Sequence, residues 1–238
     1  MESVKNKNIL IAGASGGIGA ATARLLSGSG ATVFLAGRNA EKLQALATTS
    51  NILAERIFVA ELSDANEVNA MAAKVHAIIP QLDILINASG IGIIKPIEAL
   101  SSEDFIKTIN TNLVGSFFLV KAFLPKMKET KKGLIINIPG VLGKVPMAGA
   151  AAYSASKHGL VGMMQSIREE LKRTEIRITN LYLGGVDSPF WDAIDLRVQR
   201  EKMIQAEEAA KAIWFLCQQP VSGVVSEMVL QPFNHQAI

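Results

Sequence analysis

Cysteine is almost absent from this chain: among 238 residues there is one, Cys217, so no internal disulfide can form. In "AIWFLCQQP" it reads as a buried helical thiol, and the reducing cytoplasm is the expected compartment. Histidines number three, His76, His158 and His235, none with Cys, His or carboxylate neighbours at ligand spacing, which argues against a metal site. No apolar run approaches the roughly 20 residues of a membrane helix. The apolar stretch near the N-terminus meets glycine too soon for a signal peptide. Aromatic residues make up 5%, and none interleaves with the one dense basic run, "KMKETKK" (126–132). Lysines there complement the C-terminal dipole of an apolar helical segment. The net charge of +3 therefore points to a solvated helix end and to no nucleic-acid partner.

What the chain has is apolar patterning. Hydrophobic residues make up 49% and charged residues 19%, which excludes disorder and suits a sheet covered on both faces. Strands are expected at 8–12, 31–37, 56–62, 82–88, 133–138, 176–183 and 227–232. Helices are expected from the first glycine-rich turn to about 29, then at 40–50, 65–79, 101–127, 152–173 and 207–217, with "SSED" capping the fourth. Strict alternation of this kind gives an α/β fold with a parallel sheet between two helical layers, connected right-handedly. There is no repeat, linker or low-complexity segment, so residues 1–238 are expected to form one domain.

Two stretches carry chemistry. Gly13, Gly17 and Gly19, in "AGASGGIG", fall at the first strand-to-helix turn, where glycines allow a pyrophosphate to approach backbone and the helix N-terminus to hold it. At the end of the second strand an NAD site would carry an acid for the ribose 2′-hydroxyl. This chain has Gly37-Arg38, and a guanidinium suits a 2′-phosphate. NADP(H) is expected, with NAD(H) the lesser alternative and a plain surface arginine the bland one. In "YSASK", Tyr153 and Lys157 stand four residues apart and so share one helix face. A phenol with a cation beside it is a candidate proton-transfer pair.

Together these residues resemble the short-chain dehydrogenase/reductases, over residues 8–231. The family's T-G-x-x-x-G-x-G appears with Ala12 first, then Gly13, Ser15, Gly17, Ile18 and Gly19. Its N-N-A-G appears as Asn87-Ala88-Ser89-Gly90, its catalytic asparagine as Asn112 in "NTNLVGSF", and its Tyr-x-x-x-Lys as Tyr153 and Lys157. Glu61 and Leu62 match its adenine-contacting pair. "LGGVDS" matches P-G-x-V-x-T with Leu183 for proline, so Val186 and Ser188 would meet the nicotinamide carboxamide. The resemblance implies a doubly wound Rossmann fold with strand order 3-2-1-4-5-6-7. It further implies an NADP(H)-dependent exchange of hydride with a small carbonyl or alcohol substrate, a hydroxy acid or 3-oxo compound among the candidates, and a homo-oligomer, tetramer or dimer, formed through the helices at 101–127 and 152–173. Tyr153 would be the general acid/base. Lys157 would bind the nicotinamide ribose and lower the tyrosine pKa, and Asn112 would hold a helix irregularity and a relay water.

One family residue is missing. A serine thirteen residues before the tyrosine donates a hydrogen bond to the substrate oxygen in the family; here that position is Gly140. A cofactor-binding protein with little turnover, acting as a sensor or assembly partner, is therefore the alternative reading. Residues 188–205 are expected to form a substrate lid, with Phe190 and Trp191 as apolar wall. Arg197 and Arg200 are either carboxylate contacts or simply solvated.

Overall fold

Successive side chains of a strand face opposite sides of its sheet, and in this protein both sides are buried. In the computed structural model, which describes residues 2–220 and 222–235, β1 (Asn8–Ala12) sends Leu10 and Ala12 into one apolar cluster and Ile9 and Ile11 into another. The same split recurs in β4 (Ile84–Asn87) and β5 (Lys132–Asn137), where Leu85 and Ile135 oppose Ile84, Ile86, Leu134 and Ile136. A strand buried on both faces needs helices on both, and the chain supplies them. The first cluster lies under α3 (Ala65–Ile78), α5 (Gly115–Thr130) and α6 (Ala151–Glu170). The second lies under α1 (Gly17–Gly28), α2 (Ala40–Thr49) and α7 (Ala206–Leu216).

The remaining strands are β2 (Thr32–Gly37), β3 (Ile57–Val59), β6 (Glu175–Leu183), two short ones, β7 (Val186–Asp187) and β8 (Ile204–Gln205), and β9 (Glu227–Leu230). Seven of them form a parallel sheet in the order β3-β2-β1-β4-β5-β6-β9. That is the doubly wound Rossmann order expected, β9 being its seventh strand. The order reverses between β1 and β4, and a cleft opens there at the C-terminal strand ends, as such switch points dictate.

Three local features have physical causes, the first being the helix irregularity expected at Asn112 and the other two differences from expectation. The helix expected at 101–127 is α4 (Ser102–Ile109) and α5 joined by a π-turn at Asn110–Val114, which turns the Asn112 side chain inward. Ser101 does cap its start, accepting from the Asp104 N–H at 3.0 Å. β3 stops three residues early, at an edge where Val59 is already exposed. Residues 188–205 contain two 3-10 turns, and β7 and β8 pair around them as a separate two-stranded ribbon.

Candidate active site

A cleft of about 920 Å³ runs along the switch point. Its floor begins at the β1–α1 turn. Gly13 has φ +81° and lies so close to the end of β4 that a Cβ would come within 2.7 Å of the Ala88 and Ser89 backbone. Only glycine fits both the angle and the approach. The α1 N-terminus follows, with Gly16 as its cap and no side chain bonding its first N–H groups. Those donors, with Ser15, Gly17, Ile18 and Gly19, line the cleft and are free for an anion.

Ser15 Oγ approaches Gly37, 3.2 Å from where a Cβ there would stand, which sets the first turn beside the end of β2. Arg38 lines the cleft at this end and pairs with Glu61 at 3.4 Å. Burial pushes the Glu61 carboxyl up, but hydrogen bonds from Ser63 and the nearby Arg38 guanidinium outweigh it and hold it below its ordinary range. Lys42, unmarked in the sequence reading, lines the same end. It sits in the first turn of α2, where a cation opposes the helix dipole. That misplacement was the available signal. Asn39 caps the helix by accepting from the Lys42 N–H at 2.8 Å.

At the cleft's centre, Tyr153 and Lys157 rise from α6 on one face, with the ammonium 5.5 Å from the phenol ring centroid. Lys157 is 3% exposed and donates to the Ile138 carbonyl at 3.2 Å. Gly90 abuts both Lys157 and Asn112, each 3.2 Å from where its Cβ would be. Asn112 is fully buried. Its Oδ1 accepts from the Ile91 N–H at 2.8 Å, and its Nδ2 donates to the Ile91 carbonyl and to Ser156 Oγ, both at 3.0 Å.

The lysine's expected effect on the tyrosine is not seen in the protein alone. Burial pushes the Tyr153 phenol up to about 12 and the Lys157 ammonium down to about 8. Each charged form loses water here, and the ammonium hydrogen-bonds a backbone carbonyl instead of the phenol oxygen.

Other expected residues sort as follows. Leu62, Ala88, Gly90, Val186 and Ser188 line the cleft. Asn87 does not: its Nδ2 donates to Ser116 Oγ at 2.8 Å and its Oδ1 accepts from Ser89 Oγ at 2.6 Å, so its side chain ties β4 to α5. Gly140 has φ +68°, and a Cβ there would stand 4.0 Å from the Tyr153 hydroxyl. Phe190 meets Tyr153 edge-on with ring centroids 5.9 Å apart, and Trp191 packs against Phe190. Arg200 is corrected. Its guanidinium bonds Asp187 at 2.6 Å, Asp192 at 2.7 Å and the Ser188 carbonyl at 2.7 Å, which commits three of its five donors and its charge within the protein. The apolar Ile94, Leu142 and Met147, and Asn234 and His235 near the C-terminus, also line the cleft. Sequence reading missed them because no local pattern announces which distant segments will meet.

Comparison with known proteins adds the chemistry of relatives. The family described as short chain dehydrogenase matches residues 7–198. An uncharacterised oxidoreductase of Staphylococcus epidermidis is 31% identical over 98% of this chain and 100% of its own. The 3-oxoacyl-[acyl-carrier-protein] reductase of Rickettsia felis is 33% identical over 96% of each chain. Among solved structures, a metagenomic short-chain oxidoreductase in complex with NADP superposes with a TM-score of 0.84 at 31% identity, over 98% of this chain and 100% of that one. An actinorhodin polyketide ketoreductase variant with NADPH superposes at 0.85 and 26% identity, over 98% of each.

Proposed function

This chain belongs to the short-chain dehydrogenase family, and from that premise we propose that it transfers hydride between NADP(H) and a small carbonyl or alcohol compound, with Tyr153 as general acid/base. The carrying observation is the cleft itself, which joins the Arg38 and Lys42 end to the Tyr153–Lys157 pair in one continuous space. NADP(H) is the cofactor of its oxidoreductase chemistry, in keeping with the NADP and NADPH complexes of its structural relatives. The protein's own residues fit it: uncapped α1 donors and the glycine turn for the pyrophosphate, Arg38 and Lys42 for the 2′-phosphate, Val186 and Ser188 for the carboxamide. When bound, the reduced cofactor supplies the hydride.

The rest is done by side chains. Tyr153 gives its phenolic proton to the carbonyl oxygen as that oxygen gains charge. The phenol, pushed up by burial to about 12, is protonated at neutral pH, the form that reduction needs. Lys157 holds positive charge beside the ring, and Asn112 fixes the Ile91 backbone and Ser156 behind it. Phe190 closes one wall against water. The missing Gly140 hydroxyl removes one donor to the developing oxyanion, a loss of about 10²–10³ in rate, so turnover is slowed and not abolished.

Gly140 also supports a second reading, a protein that binds NADP(H) with little turnover. NADPH absorbance followed against a panel of carbonyl compounds separates the two: loss of signal dependent on protein and carbonyl supports the enzyme. Binding without consumption across the panel supports the alternative. We further place the chain in a homo-oligomer, since Ile97 (72% exposed) before α4, Ile106 (56%) on it and Phe117 (41%) on α5 show apolar surface to solvent. Light scattering returning a monomer mass at micromolar concentration counts against this.

A further inference from the structure

One segment of the cleft lining sorts charge. Segment 188–205 carries three carboxylates, Asp192, Asp195 and Glu201, and three cations, Arg197, Arg200 and Lys202, so it is neutral as a whole. Its arrangement is not neutral. Arg197 and Lys202 line the cleft, while Asp192, Asp195 and Glu201 lie outside the lining. Arg200 bridges Asp192 and the neighbouring Asp187, neither of which lines the cleft. Neither Arg197 nor Lys202 has an ion pair or side-chain hydrogen bond among the described residues.

Position separates this pair from the cofactor-phosphate cations. Lys202 precedes Met203, whose side chain lies 3.4 Å from where a Cβ on Gly185 would be, beyond the end of β6. Arg38 and Lys42 stand after β2, on the other half of the sheet. The same lining carries apolar side chains, among them Leu142, Met147 and Phe190. A ligand in the cleft has within one lining an apolar wall, the Tyr153 phenol and two cations without an ion-pair partner among the described residues.

We propose that the substrate is an oxo acid: a carbonyl compound with an apolar body and a carboxylate that Arg197 and Lys202 receive. This rests on the oxidoreductase reading above and names its substrate class. A guanidinium with no protein partner makes charge-assisted hydrogen bonds to a carboxylate that a neutral ester cannot replace.

The test uses a series of ω-oxo acids of increasing length against their methyl esters, with NADPH and the intact protein. At the best-fitting length, kcat/KM for the acid should exceed that for its ester about tenfold or more. In Arg197→Ala/Lys202→Ala that preference should fall to within about threefold of unity. Calorimetric binding of the same acids to the protein loaded with NADP+ should follow the same order and be lost in the double variant. Ester and acid turning over equally well at every length overturns the proposal while leaving the oxidoreductase reading intact. If neither turns over, acid binding that the double variant abolishes supports it, and no acid binding overturns it. A double variant that weakens NADPH binding as much as acid binding also overturns it, because the cations would then serve the cofactor.

Discussion

The two ends of the cleft are built by different means. The nucleotide end is made of short turns that leave one strand and enter the next helix: Gly13 to Gly19 between β1 and α1, and Arg38 to Lys42 between β2 and α2. Each is pinned by backbone geometry, such as the 2.7 Å approach that forbids a Cβ on Gly13. The substrate end is assembled from three separated stretches, the Gly140 turn, the segment after β7 and the residues following β9, held by side chains such as Arg200 and the Trp191 indole on the Val186 carbonyl at 2.9 Å. Backbone-built recognition is generic, whereas side-chain-built recognition can be rewritten without disturbing the sheet. The Tyr153–Lys157 pair stands at the junction, so substitutions there test whether the two ends work as one site.

The largest expected effect lies at that junction. Tyr153→Phe removes the proton and little else, so turnover should fall by about 10²–10⁴ while NADPH affinity, set at the other end, stays nearly unchanged. Steady-state kinetics with a parallel NADPH titration checks this; retained turnover would mean that Tyr153 is not the acid.

Legibility from the sequence divides along the same line. The sheet order was readable through the family resemblance, and the glycine turn and the place of Arg38 on the cleft because strand, turn and helix are contiguous and their periodicity is local. The Tyr153–Lys157 face followed from helix geometry alone. Lys42 needed the further thought that a first-turn cation wants an anion. The Asn87 side chain stays out of the cleft lining because its motif fixes its place on β4 but not the direction of its side chain, which Ser116 on α5 decides. Arg200 and Arg197 look alike in sequence. Only the fold shows that Asp187 and Asp192 converge on one and leave the other.

A second prediction concerns stability at the junction. Lys157 titrates near 8 in the folded protein instead of 10.5, so the folded state disfavours its charge. Below about pH 8 both folded and unfolded chains carry the proton and the cost of burying charge is full. Between about 8 and 10.5 the unfolded chain binds more protons, so this group's contribution to stability rises with pH. Tyr153 and Cys217, both pushed up to about 12, act in the opposite sense at the alkaline end. Lys157→Met should therefore be more stable than the natural chain at pH 7, by up to about 3 kcal/mol, with the difference closing as pH rises past 8. A gap in Tm that stays constant across this range would show that the buried charge is not the cause. The same variant should bind NADPH more weakly, as expected of a group kept for function.

At the nucleotide end, Arg38→Asp sharpens the comparison. Arg38 is about half exposed and already shares Glu61, so solvent screens part of its contribution. NADPH should weaken about 10- to 100-fold, the scale of charge-assisted hydrogen bonds to one phosphate. NADH should change little or improve, since a carboxylate can accept from a 2′-hydroxyl. Equal loss of both cofactors by calorimetry would place the discriminator elsewhere, with Lys42 next to be tested.

The smallest expected effect is a gain. Gly140→Ser puts a hydroxyl where the pocket has none, with its Cβ 4.0 Å from the Tyr153 oxygen and 3.4 Å from the Leu183 carbonyl, so space is not the obstacle. Backbone is. At φ +68° a residue with a Cβ pays about 1–2 kcal/mol, and a turn that relaxes to relieve this carries the hydroxyl away from the substrate oxygen. The ceiling of about 10²–10³ for a restored oxyanion donor should therefore shrink to about tenfold in kcat/KM, with a lower Tm. If the strain is the limit, a second substitution that lets the turn relax without moving residue 140 should recover more of the ceiling. A variant that melts normally, binds NADPH and gains nothing would mean that position 140 does not face the reacting oxygen, and that this end of the cleft orients its substrate by other groups.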